Sequence, residues 1–81
     1  MTIDKLPAWA RWLAQDADGT WWAYEAEPNQ QDCGWYENEV GRIQRLGKTA
    51  PPADWEATLT RRETALANGL FDAIRAAAGR S

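Results

Sequence analysis

A tight turn between two alternating aromatic segments constrains this chain more than any other feature. Asp16-Ala17-Asp18-Gly19-Thr20 has the chemistry of a three-residue hairpin loop. A type I turn at Ala17-Asp18 is followed by Gly19 in the left-handed conformation as a bulge. Asp16 then pairs with Thr20, and this sets the register of two strands, Ala8 to Gln15 and Thr20 to Glu27. Even-numbered residues share one face: Ala10, Trp12, Ala14, Trp22, Tyr24 and Ala26. Odd-numbered residues share the other: Trp9, Arg11, Leu13, Gln15, Trp21, Ala23, Glu25 and Glu27. Every charge in the two strands lies on the odd face, so the even face is expected to be the core face.

The rest of the chain extends this unit. Pro28 ends the second strand and Asn29 to Gly34 is a polar loop. Trp35 to Asn38 and Arg42 to Leu46 read as a second hairpin, with Gly41 again third in the turn, and the two hairpins predict a four-stranded antiparallel sheet. Residues 49–53, with Pro51-Pro52, form a linker out of the sheet. Asp54 is a plausible N-cap. Leu59, Leu66, Leu70, Ile74 and Ala77 then fall on one helical face. One long helix is expected from Trp55 to Ala78, with a possible restart at the capping box Thr60-Arg61-Arg62-Glu63 and a kink or end at Asn68-Gly69. The expected fold is an α+β domain over residues 1–81: an acidic aromatic sheet unit (7–48), a linker (49–53) and a helix (54–78).

Composition excludes much chemistry. The 81 residues contain no histidine, one cysteine (Cys33) and one serine (Ser81). Serine–histidine and cysteine–histidine catalysis, histidine-ligated metals and cysteine-rich zinc sites are therefore not available. Asp16-x-Asp18-Gly19 resembles the start of a calcium loop, but Trp21 stands where that loop needs glycine, so a hairpin turn is the better reading. Glu25 and Glu27 share a strand face without a cleft to support acid–base work. No metal, cofactor or enzymatic activity is expected. No apolar run approaches a membrane span, and nothing reads as a signal peptide.

Charge and aromatic content are segregated. Between Arg11 and Arg42 there is no base, but seven acids occur: Asp16, Asp18, Glu25, Glu27, Asp32, Glu37 and Glu39. Six of the nine aromatic residues, Trp12, Trp21, Trp22, Tyr24, Trp35 and Tyr36, lie in the same stretch. Direct nucleic-acid binding is disfavoured, because such a surface repels phosphates. An exposed tryptophan beside carboxylates is instead a candidate anchor for a basic protein surface. The expected contact residues are Trp21, Glu25 and Glu27 at the centre, with Trp9, Asp16, Asp18 and Glu39 around them. A helix of the expected length outruns a small sheet, so Leu70, Phe71 and Ile74 are candidates for pairing with a partner or a second copy.

The block from Leu6 to Pro28 resembles a pattern in small bacteriophage and prophage proteins. Its carriers are Trp9-x-x-Trp12, Ala14-Gln15-Asp16-x-Asp18-Gly19, Trp21-Trp22-x-Tyr24-Glu25 and Pro28. Gly41-Arg42 and the segment from Pro52 through Trp55 to Leu59 are similar to later parts of those proteins. The resemblance covers residues 6 to 59 and implies a phage or prophage origin and a bacterial cytoplasm. It implies no reaction. The expected function is a non-enzymatic accessory protein that binds a host protein with a basic surface, such as a defence or nucleic-acid-handling factor, and inhibits or redirects it. The alternatives are a sequestering protein for a small molecule or nucleotide, and a self-assembling structural component that dimerises through the C-terminal helix.

Overall fold

The computed structural model describes residues 6–30, 34–36 and 41–78. Strands β1 (Trp12–Gln15) and β2 (Thr20–Tyr24) form the expected hairpin. Trp12 faces Tyr24, Leu13 faces Ala23, Ala14 faces Trp22 and Gln15 faces Trp21. The Asp16 N–H donates to the Thr20 carbonyl (2.9 Å) and the Gly19 N–H to the Asp16 carbonyl (2.9 Å). Gly19 has φ +99°. The Asp18 carboxylate accepts the Thr20 N–H at 2.9 Å, which closes the turn.

The partners of this hairpin differ from expectation. Two further two-residue strands, β3 (Asn29–Gln30) and β4 (Trp35–Tyr36), pair with each other as a separate antiparallel sheet. Among the described residues the expected hairpin between Trp35–Asn38 and Arg42–Leu46 is not seen, and its turn, residues 38–40, lies outside them. Strand β5 (Ile43–Lys48) pairs instead with β2. The short strand β6 (Thr60–Arg61) pairs with the other edge of the hairpin, so the main sheet is ordered β5-β2-β1-β6. The register of β5 shifts at a bulge: Trp22 faces Arg45 and Trp21 faces Gly47. Leu46 is the extra residue, and it is 1% exposed.

The single long helix is also corrected. Trp55–Ala57 is one 3₁₀ turn, after which the chain becomes β6 before α1 (Arg62–Ala67) and α2 (Leu70–Ala78). Asp54 and Arg61 precede the 3₁₀ turn and α1, and neither supplies a side-chain cap; Thr60 lies in β6. The cause lies at the open edge of β1. The Thr58 hydroxyl donates to the Gln15 carbonyl (3.1 Å) and accepts the Gln15 N–H (2.9 Å), and the Arg62 N–H donates to the Arg11 carbonyl (2.9 Å). Edge pairing satisfies backbone groups of β1 that a helix over the same residues would leave open. Asn68-Gly69 breaks the helices as expected: Gly69 has φ +81° and the Asn68 side chain accepts the Leu70 N–H at 2.9 Å.

The helices cover the odd face rather than the even one, although Ala10, Ala14 and Tyr24 of the even face are buried as expected. The main core gathers Leu6, Ala10, Leu13, Trp21, Ala23, Leu46, Ala65, Phe71 and Ile74, with Trp9 and Leu70 packed against it. Leu13, Trp21 and Ala23 are odd-face residues, and α1 and α2 lie over them. Charge placement misleads because the strands are shorter than the alternating pattern. Arg11, Glu25 and Glu27 fall beyond the ends of β1 and β2, leaving only Leu13, Gln15, Trp21 and Ala23 on the covered face. Burying each large side chain, such as Leu46, Phe71 or Ile74, contributes about 1.5–3 kcal/mol. Gln15, the one polar residue on this face, is 4% exposed, and its amide donates to the carbonyls of Gly19 and Ala50 and to the Thr49 hydroxyl. At the chain's start, the Arg62 guanidinium donates to the carbonyls of Pro7 and Ala10, joining that turn to α1.

Candidate functional site

The acids expected to form a contact surface serve largely as internal partners. Asp16 accepts the Trp35 N–H at one carboxylate oxygen (2.8 Å) and the Trp22 indole N–H at the other (3.2 Å). Asp18 caps the hairpin turn, and hydrogen bonds from the backbone and then the hydroxyl of Thr20 hold its carboxyl below the usual range. Glu25 takes the Arg42 N–H (2.9 Å) and two guanidinium contacts (3.2 and 3.3 Å). Arg42's side-chain and backbone hydrogen bonds lower the Glu25 pKa. The same guanidinium lies 5.2 Å from the centre of the Trp9 ring. Glu27 is exposed. Glu39 and Cys33 lie outside the described residues.

Trp21 is not an exposed anchor. It is 6% exposed, sits in the main core and donates its indole N–H to the Thr49 hydroxyl at 3.0 Å. Phe71 (5%) and Ile74 (2%) of α2 are buried in the same core, and Leu70 packs against it. The apolar stripe proposed for a partner helix is thus seated on the chain's own sheet.

The opposite face of the sheet, which includes Trp22 and Tyr24 of the expected core face, carries an aromatic constellation. Trp22, Tyr24, Trp35, Tyr36, Ile43 and Asp16 surround an open-sided cavity of about 220 Å³. Tyr24 is 3% exposed and forms its base, whereas Tyr36 (45%) and Ile43 (39%) form its rim. The register explains the gathering. Tyr24 lies opposite Ile43 across β2 and β5 and opposite Trp12 across β2 and β1. Strand β4 is held over this face by Asp16 and by the Trp35 indole, which donates to the Gln15 carbonyl at 3.2 Å. Trp35 also meets Trp55 edge to face, with ring centres 6.0 Å apart. Further along the face, the Arg61 guanidinium lies 5.3 Å from the Trp12 ring. The signal for this site is the Trp22-x-Tyr24 alternation together with Trp35-Tyr36; the even face, expected to be the core, lines the cavity, with Tyr24 itself buried.

Among the described residues, no group of three or more His, Cys, Asp and Glu is placed to hold a metal ion. Nor, among them, is any helix long and apolar enough to cross a membrane. Comparison with known proteins returns no matching family model, no matching curated protein and no matching solved structure.

Proposed function

We propose that this protein is a non-enzymatic interaction factor that binds a host protein and inhibits or redirects it, and that its contact surface is the aromatic face around Trp22, Trp35, Tyr36 and Ile43. One observation carries the reading: four aromatic rings and one carboxylate converge on an open-sided cavity whose rim residues remain exposed. Aromatic side chains held rigidly by neighbours are the usual anchors of protein interfaces, because little conformational freedom is lost when they bind. The phage or prophage origin of the factor rests on the resemblance of residues 6 to 59, and with it the placement of the partner in a bacterial cytoplasm.

The alternatives have less support. A nucleotide-sequestering site would need bases or helix N-terminal amides for phosphate, and no described residue of the cavity lining is basic. Its volume also falls below the roughly 300–1,000 Å³ of sites that enclose whole small molecules. Self-assembly through α2 loses Phe71 and Ile74, which are buried within the chain.

Affinity capture from nuclease-treated host lysate tests the reading. The tagged protein should retain one stoichiometric host protein. The rim variant Tyr36→Ser/Ile43→Ser should lose it while keeping its fold, since both residues are exposed. Glu27→Gln, outside the cavity lining, should retain it. A partner held equally by the rim variant refutes this surface.

A further inference from the structure

We infer that the cavity between the main sheet and β4 receives a single lysine-type ammonium group from the partner. The inference rests on the proposed interaction reading for the carrier of that group, but not for the chemistry of the site. The aromatic rings of Trp22, Tyr24, Trp35 and Tyr36 line it, and ring faces attract cations through their negative quadrupole. Asp16 adds the one formal charge among the described lining residues. Each of its oxygens already accepts one hydrogen bond, from Trp22 or Trp35, and an ionised carboxylate has about four acceptor positions. The carboxylate is therefore oriented by the site and retains capacity for a donor.

Electrostatics selects the sign of the ligand. No described residue lining the cavity is basic. All lining residues except Ile43 come from the stretch between Arg11 and Arg42, which holds no base. Arg45 is the nearest cation in register, opposite Trp22 on β5, but it is exposed and does not line the cavity.

Size and shape select the group. A volume of about 220 Å³ far exceeds the space one water needs, roughly 10–15 Å³. It suits a side chain with an alkyl stem, which Ile43 and the rings would cover. A compact ammonium needs only one of the acceptor positions left on Asp16, whereas a bidentate guanidinium needs parallel positions on both oxygens beside the hydrogen bonds they already hold, so the ammonium makes the smaller demand on the site.

The test is a titration of the full ¹⁵N-labelled chain followed at the indole N–H resonances of Trp22 and Trp35. The ligand is n-butylammonium chloride, with 1-butanol as neutral isostere and sodium chloride to match ionic strength. Saturable shifts of both resonances are expected, with a dissociation constant on the order of millimolar. The Trp21 indole on the opposite face should stay unmoved. Butylammonium should bind about tenfold more tightly than 1-butanol. Asp16→Asn should weaken the ammonium and not the alcohol. Because that change removes an acceptor for Trp22 or Trp35, the surface variant Tyr36→Leu serves beside it: it removes a ring but keeps an apolar rim, and should weaken the ammonium several-fold. Arg45→Gln should tighten it.

Equal affinity for butylammonium and 1-butanol would overturn the inference in favour of a purely apolar cavity. So would an absence of saturable shifts, or shifts unchanged in Tyr36→Leu. In each case a host protein still lost from the Tyr36→Ser/Ile43→Ser variant would leave the interaction reading standing. Ammonium binding with no captured partner would separate the two in the other direction.

Discussion

Replacing Gly19 by alanine probes the joint that holds the hairpin turn to the end of β5. Two costs combine there. The first is conformational: Gly19 has φ +99°, where an L-residue carries a penalty of about 1–2 kcal/mol. The second is steric: a Cβ built on Gly19 lies 2.1 Å from the Thr49 carbonyl oxygen and 3.2 Å from the Pro51 nitrogen. Both are backbone atoms, so no side-chain rotation relieves the clash. The chain at Thr49 must retreat, and the hydrogen bond from the Thr49 N–H to the Gly19 carbonyl (3.0 Å) stretches or breaks. That bond is worth about 1 kcal/mol. The expected loss is about 3 kcal/mol in all, a large part of the roughly 4–12 kcal/mol available to a chain of this length.

Gly69→Ala is the internal control. Its φ is +81°, but nothing lies within 4 Å of the added Cβ. It should cost about 1 kcal/mol, from conformation alone. Urea unfolding followed by tryptophan fluorescence gives both values. Equal losses for the two substitutions would refute the close approach of Thr49 to the turn, and with it the exit path of β5.

Trp21→Ala should destabilise the fold by about 3–5 kcal/mol, as expected of a buried aromatic residue; a stable, folded variant by circular dichroism would restore Trp21 to the surface. Gln15→Leu fills the same position but leaves the Gly19 and Ala50 carbonyls without the amide donor, and chemical denaturation should show a loss of about 1–3 kcal/mol. The pKa values of Asp18 and Glu25 are lowered in the folded state from 3.8 and 4.5, so their contribution is present above those values and disappears as pH falls through the lower folded-state values. The urea midpoint should therefore decline on acidification below about pH 4.5, and Glu25→Gln should decline less steeply than the wild type. An identical acid slope in Glu25→Gln would exclude Glu25 as a contributor.

Local chemistry accounts for what the sequence made legible. The Asp16–Thr20 turn, its Gly19 bulge and the register of β1 and β2 follow from a few adjacent residues whose backbone preferences no distant contact needs to supply. The break at Asn68-Gly69 is legible for the same reason, and so is the α+β class. The candidate site was only half legible. Its aromatic residues stand out in the chain and Tyr24 is buried as expected, but Trp22 lines an open cavity and Trp21 lies in the core.

Side-chain alternation states that two faces exist; it does not state which one the helices will cover. Here the charges that mark the expected solvent face, Arg11, Glu25 and Glu27, lie beyond the strand ends, where Arg11 and Glu27 are exposed and Glu25 pairs with Arg42. The decision belongs to partners distant in sequence. Leu46 enters the core through a bulge, Phe71 and Ile74 close over Trp21, and Thr58 joins the free edge of β1 in place of a helical turn. Such contacts are set by which arrangement buries the most apolar surface while satisfying Gln15 and the strand edges together. That is a property of the whole chain: the sequence alone determined the turn, the hairpin register and the aromatic inventory, and only the tertiary structure decided which rings face the core and which enclose the cavity around Asp16.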